Sequence, residues 1–160
     1  MPLKLDFKAG EKMVINGAVV ENIGPNAKIL VHNLASVLRD KEVLTENDCV
    51  TPAAHVYFAL QCAYVFPEKN DDYILLFENY LRDFITACPS ATPISNDIRS
   101  NVEAGDLYKG LKGVRKLIAH EADTLNSFHE GMAKLVAMAE IEESESIESV
   151  KSEQMKTGEG

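Results

Sequence analysis

Lys109, Lys112, Arg115 and Lys116 fall within a stretch, Leu107 to Ile118, that holds no acidic residue. On a helix, spacings of three and four put Lys109, Lys112 and Lys116 on one face, with Arg115 close to Lys112. Amines in such a row can follow a nucleic-acid backbone, because each one that meets a phosphate releases condensed counterions and gains affinity. Lys and Arg also cover ordinary solvated helix faces, so the spacing defines a candidate and no more. Lys28, His32, Arg39 and Lys41 form a second candidate surface. Sheets that bind single-stranded RNA combine cations with exposed aromatic platforms. The strands expected here contribute Phe7 as their only aromatic, which leaves backbone and loop contacts around Asn16-Gly17 and Gly24-Pro25-Asn26.

Catalytic chemistry finds little to work with. His32, His55, His120 and His129 have no metal-ligand spacing with Cys49, Cys62 and Cys88, and His120 and Glu121, adjacent on a helix, point to different sides. The three cysteines form no close pair, so neither a zinc knuckle nor a redox CxxC is present. Ser36 lacks a nucleophile-elbow context, and no Gly-rich phosphate loop occurs. The expectation is a non-enzymatic protein with no catalytic residue, no metal and no cofactor.

The formal charge of −9 argues against indiscriminate nucleic-acid binding, since Lys and Arg supply most of that affinity. By segment, residues 1–50 carry six basic and seven acidic groups, 51–105 three and seven, 106–140 five and five, and 141–160 two and six. The acidity therefore sits in the middle and the tail. A chain of 160 residues can bury a core without disulfide or metal. An odd number of cysteines suits reduced thiols in the cytoplasm. There is no leader-like N-terminus and no apolar run long enough to span a membrane, so a cytoplasmic protein with no membrane partner is expected.

The elements that must position these residues follow from periodicity and turn chemistry. Leu3, Leu5 and Phe7 alternate with polar residues as a half-buried strand does. Asn16-Gly17 between two β-branched runs predicts a two-residue hairpin, because both central positions of that turn need positive φ. Gly24-Pro25-Asn26 is a second turn signal, so Lys12 to Arg39 reads as a small antiparallel meander. Thr51-Pro52 starts a helix that runs to about Val65. Asn70 is expected to cap a second helix, whose stripe runs from Tyr73 to Cys88 until Pro89 ends it. Ile94, Ile98 and Val102 mark a shorter third helix stopped at Gly105. Asp106 caps a fourth, with Leu107, Leu111, Val114, Ile118, Ala122 and Leu125 as its buried stripe, and Gly110 and Gly113 weaken the helix, so fraying or close packing is expected there. A helical pattern continues from Phe128 to Ala139. Beyond Ile141 the Glu- and Ser-rich composition predicts a disordered tail.

Several short blocks also resemble a known family. Met1-Pro2-Leu3, Gly10-Glu11, the run from Val14 to Asn22, His32-Asn33 and Ala35-Ser36-Val37-Leu38-Arg39 are similar to the FlbT family of bacterial flagellar-biosynthesis regulators. The likeness continues through Thr51-Pro52-Ala53, Tyr57-Phe58, Gly105-Asp106, Tyr108-Lys109 and Arg115-Lys116-Leu117-Ile118, covering roughly the first 125 residues in order. Family members often carry basic side chains where Leu34, Ala54 and His55 stand here. The resemblance implies post-transcriptional control of flagellin synthesis, with the flagellin mRNA 5′ leader as target and FlaF as functional counterpart.

The resulting expectation is an α+β fold: a small N-terminal antiparallel sheet, then a bundle of about four helices. It divides into a β-rich subdomain (1–50), a helical part of the same domain (51–140) and a disordered acidic tail (141–160). The expected function is regulation of flagellin mRNA translation or stability. The alternative is a protein-interaction module acting through FlaF or flagellin without RNA contact.

Overall fold

The structure is a computed structural model and describes residues 1–158. Five short strands come first: β1 (Leu3–Phe7), β2 (Lys12–Ile15), β3 (Ala18–Glu21), β4 (Ala27–Val31) and β5 (Val37–Arg39). Four α-helices follow: α1 (Pro52–Val65), α2 (Asn70–Ala87), α3 (Thr92–Glu103) and α4 (Leu107–Thr157). This is the α+β order expected. The chain forms two compact units, Met1–Ala119 and His120–Gly160.

Asn16 and Gly17 take φ values of 49° and 84°, the conformation that joins β2 to β3 in a tight hairpin. The meander goes no further than this hairpin. β4 pairs antiparallel with β1, from Leu3 opposite Val31 to Phe7 opposite Ala27, while β5 pairs with the other side of β2. The result is a two-stranded sheet, β1–β4, and a three-stranded sheet, β3–β2–β5. Asparagine side chains account for the change of partner. Asn22 Nδ2 donates to the carbonyls of Phe7 and Pro25, Asn22 Oδ1 accepts the Gly24 N–H, and Asn26 Oδ1 accepts the Ala9 N–H. These bonds fold the turn back onto the end of β1 and so carry β4 alongside it.

The loop after β5 holds two 3₁₀ turns, Asp40–Glu42 and Glu46–Asp48. Buried Gln61 of α1 accepts the Leu44 N–H and donates to the Leu44 carbonyl, fixing this loop by its backbone. Thr51 Oγ1 caps α1 by accepting from the Ala54 N–H at 3.2 Å. Ten of the fourteen residues of α1 are buried, among them Val56, Tyr57, Leu60 and Val65, so the helix is central and has no single wet face.

A 3₁₀ turn, Pro67–Lys69, leads straight into α2. Asn70 is therefore the first helical residue and not the cap expected; its Nδ2 donates instead to the Ala63 carbonyl. Phe77, Leu81 and Phe84 bury the α2 stripe, and Ile98 buries that of α3. Asp106 does cap α4, accepting the Lys109 N–H at 3.0 Å. Leu111, Val114 and Leu117 enter the same core. Gly113 explains how close α4 comes to α3: a Cβ there would meet Ile98 Cγ1 at 2.7 Å. Phe7, Met13 and Val37 form a separate small cluster on the strand side.

In the second unit the expected disorder is overturned, because α4 continues through Thr157. The last two positions of that expected tail, Glu159 and Gly160, lie outside the described residues. Poor core-forming composition ruled out packing, but a helix satisfies its own backbone groups without a core. Glu, Lys, Met and Gln are good helix formers, and the hydroxyls of Ser144, Ser146, Ser149 and Ser152 donate to carbonyls three residues back. From Ala122 to Gly158 every residue is exposed. Among the described residues, no helix is long and apolar enough to cross a membrane.

Candidate nucleic-acid interface

The fold sorts the eight candidate residues into three places, and three of the eight, Arg39, Arg115 and Lys109, stand in ion pairs. Arg39, at the end of β5, donates to the Glu11 carboxylate and, at 3.1 Å, to the Asp6 carbonyl. Arg115 of α4 reaches Glu42 at 3.4 Å and the Tyr57 hydroxyl at 3.3 Å, and lies over the Tyr57 ring. Lys41 is exposed at the rim of a cavity of about 180 Å³ that Arg115 also lines.

Glu42 is the hub of this corner, and sequence reading missed it. Its Oε2 accepts the Arg39 N–H at 2.8 Å, its Oε1 accepts the Tyr108 hydroxyl at 2.9 Å, and its carbonyl accepts the Tyr57 hydroxyl. Burial alone would raise the Glu42 carboxyl. The Arg39 N–H, the Tyr108 hydroxyl and the Arg115 guanidinium outweigh that and hold it below the ordinary carboxylate range. Burial and the neighbouring Glu42 raise the Tyr108 hydroxyl, which stays a donor. A polar residue in a polar loop carries no local sign of this role, since its partners come from α1, β5 and α4.

Lys28 lies on β4 directly opposite Asp6 of β1, and His32 follows the end of that strand; both are exposed. They stand as isolated surface groups.

Lys109, Lys112 and Lys116 do share one site. Together with Asp97, Ser100 and Asn101 of α3 they line a cleft of about 380 Å³ between α3 and α4, and all three lysines are exposed. The close approach at Gly113 sets its floor. Lys109 Nζ stands 3.4 Å from Asp106, and Lys112 Nζ lies 4.8 Å above the Tyr108 ring. Asp97 is the one acidic lining residue. Three amines, with Asp97 in the lining and Asp106 beside Lys109, leave the cleft net positive, which suits an anionic, extended ligand.

Several residues considered for other chemistry have partners or burial within the fold. His55 Nδ1 lies 2.8 Å from the Thr51 carbonyl, and its ring packs edge-on against Tyr80. Cys49, Cys62 and Cys88 are free thiols, and burial pushes the Cys49 and Cys62 thiols up, away from the reactive thiolate. Among the described residues, no group of three His, Cys, Asp or Glu could hold a metal ion.

Fold and site thus define a class: an α+β domain with a cleft between two helices that is lined by three lysines. Comparison with known proteins makes the assignment specific. The family described as Flagellar protein FlbT matches residues 3–125, and the chain belongs to that family. It is 38% identical over 122 residues to a probable flagellum biosynthesis repressor protein FlbT 1 of Bradyrhizobium diazoefficiens, spanning 76% of this chain and 83% of that protein. It is 34% identical over 135 residues to the flagellum biosynthesis repressor protein FlbT of Caulobacter vibrioides, spanning 83% and 96%. No solved structure matches the chain. Both the lysine cleft and the Glu42 cluster fall within the matched residues.

Proposed function

We propose that this protein is a repressor of flagellum biosynthesis that acts post-transcriptionally in the cytoplasm, by binding the 5′ leader of flagellin mRNA and so controlling its translation or stability. Its relatives' names support the repressor role. The observation that carries the RNA reading is the cleft where Lys109, Lys112 and Lys116 line up along α4 beside α3. The chain is acidic overall, so binding must be local and selective, with RNA confined to this cleft.

The test is titration of flagellin leader RNA with the wild type and with the Lys109→Glu, Lys112→Glu, Lys116→Glu triple variant. Three single-strand phosphate contacts give a salt slope of about −2, a loss of roughly 20-fold between about 50 and 200 mM salt. The triple variant should bind far more weakly with its circular dichroism unchanged, since the three side chains are exposed. Affinity that ignores both salt and the charge reversal refutes the cleft.

One observation favours a second reading, a protein-interaction module acting through FlaF or flagellin. Leu125, Phe128, Met132, Leu135, Val136 and Ile141 are all exposed on the His120–Gly160 unit, more apolar surface than a solvated helix usually carries. Pull-down of FlaF and flagellin by a protein that never binds the leader would select this reading.

A further inference from the structure

A cavity of about 560 Å³ opens in the Met1–Ala119 unit beside the lysine cleft, lined among others by Asn16, Ser36, Tyr64, Asn70, Asp106 and Tyr108. We infer that this cavity takes one unstacked nucleobase of a single-stranded RNA whose phosphates lie along Lys109, Lys112 and Lys116. The inference rests on the RNA reading above and deepens it, adding base contact to backbone contact.

The aromatic platform that the strands lack is supplied here by helices. The Tyr64 and Tyr108 rings have centroids 6.0 Å apart and are inclined at 40°. Both hydroxyls are engaged elsewhere. Tyr64 accepts the Val37 N–H at 3.1 Å, and Tyr108 donates to Glu42 at 2.9 Å. The rings are therefore held in place as part of the cavity wall, with Lys112 over Tyr108, and what they present to the cavity is aromatic surface against which any base can pack regardless of sequence.

The polar rim suits a base edge. Asn16 Oδ1 accepts the Ser36 N–H, which orients the amide and leaves its Nδ2 as a donor at the cavity. Asn70 Nδ2 donates to the Ala63 carbonyl, which leaves its Oδ1 as an acceptor. A donor and an acceptor beside two fixed rings match a heterocycle that carries both. A phosphate is not the natural occupant, because the one charged lining residue is Asp106, which the Lys109 N–H holds below the usual carboxylate range.

Cavity and cleft are joined through two residues. Tyr108 lines the cavity while Lys112 lies over its ring, and Asp106 lines the cavity while bridging to Lys109 Nζ. A nucleotide with its base in the cavity, against the wall that the tyrosines form, would therefore have its phosphate beside these amines. Neither cavity nor cleft alone shows this pairing of aromatic wall and cationic rail.

The test compares a short single-stranded oligoribonucleotide of mixed sequence with an abasic ribose-phosphate strand of equal length. Leu34, fully exposed at the cavity's edge, is changed to Trp as reporter. The chain has no native Trp, so the Leu34→Trp emission is unambiguous. The base-bearing strand should bind roughly 5- to 150-fold more tightly than the abasic strand, the range set by stacking one base, and should quench the reporter. Tyr108→Leu should remove that preference while Tyr108→Phe, which keeps the ring, retains it. Equal affinity for the two strands, or no quenching by the base-bearing one, overturns the base pocket and leaves the lysine cleft standing. Failure of both strands and of the leader RNA overturns the RNA reading itself and this inference with it.

Discussion

Replacing Glu42 by Gln should destabilise the protein well beyond what a loop substitution usually costs, and the loss should fade in acid. The carboxylate accepts from the Arg39 N–H at one oxygen and from the Tyr108 hydroxyl at the other, with Arg115 Nη2 at 3.4 Å. Its side chain is 11% exposed, so water does not readily replace those donors. Gln keeps the shape and one acceptor oxygen but presents an NH₂ where the second oxygen stood. A charged hydrogen bond worth about 1.5–3 kcal/mol then becomes a donor facing a donor. At about 2–4 °C per kcal/mol for a chain of this size, the variant should melt roughly 3–12 °C lower at neutral pH. The Glu42 carboxyl is depressed in the folded state, despite the burial that opposes this, by the Arg39 N–H, Tyr108 and Arg115. Its contribution is therefore complete above the unfolded value of about 4.3 and is lost as the pH falls through the lower folded value. Thermal melts followed by circular dichroism from neutral to acid pH should show the gap between wild type and Glu42→Gln closing as the wild type protonates. A gap that is absent at neutral pH, or constant across the range, refutes the hub.

Two further substitutions test the fold. Gly17→Val combines a positive φ of 84° with a Cβ that would stand 3.1 Å from Phe66 Cε1, so a loss of about 1–2 kcal/mol or more is expected in urea unfolding; an unchanged midpoint rejects the turn. Deleting residues 141–160 should leave the melting of the Met1–Ala119 unit unchanged, since every described residue beyond Glu121 is exposed. The same deletion should lower the helical far-ultraviolet signal, and an unchanged signal would mean that 141–157 is not helical in solution.

Local signals carried the elements, and long-range partners decided where the reading departed from the fold. The Asn16-Gly17 turn, the Thr51 cap, the Asp106 cap and the stops at Pro89 and Gly105 all depend on residues within a few positions of one another, and the structure has each of them. The strand order depends on Asn22 and Asn26 reaching back to Phe7 and Ala9, which no pattern of alternation encodes. Asn70 has the composition of a cap, yet Pro67 had already begun a 3₁₀ turn that placed it inside the helix. The tail departs from its expected disorder for a different reason: a composition that cannot form a core can still form a helix, and one built from Glu, Ser, Lys and Met needs no core to close its hydrogen bonds.

The same division runs through the candidate cations. Helical spacing groups Lys109, Lys112 and Lys116 because all three sit on one element, and all three line the cleft beside α3. Spacing grouped Arg115 with them as well, but Arg115 turns to Glu42, and Arg39 turns to Glu11, across 28 residues of sequence. A guanidinium offers a planar fork that fits a fixed carboxylate, so arginines are drawn into such pairs, whereas an ammonium on a flexible stem stays a mobile point charge at the surface. Lys109 also stands 3.4 Å from a carboxylate, that of Asp106, but its side chain remains exposed, so the charge lining the cleft is carried by lysines. The aromatic pair escapes a reading of the strands for a parallel reason: Tyr64 and Tyr108 lie 44 positions apart on α1 and α4, and only the packing of those helices brings their rings within 6.0 Å. Such a surface tolerates a short, irregular sheet, because its lysines and tyrosines stand on the helices and the strand region serves to place Asn16, Val37 and Glu42 beside them.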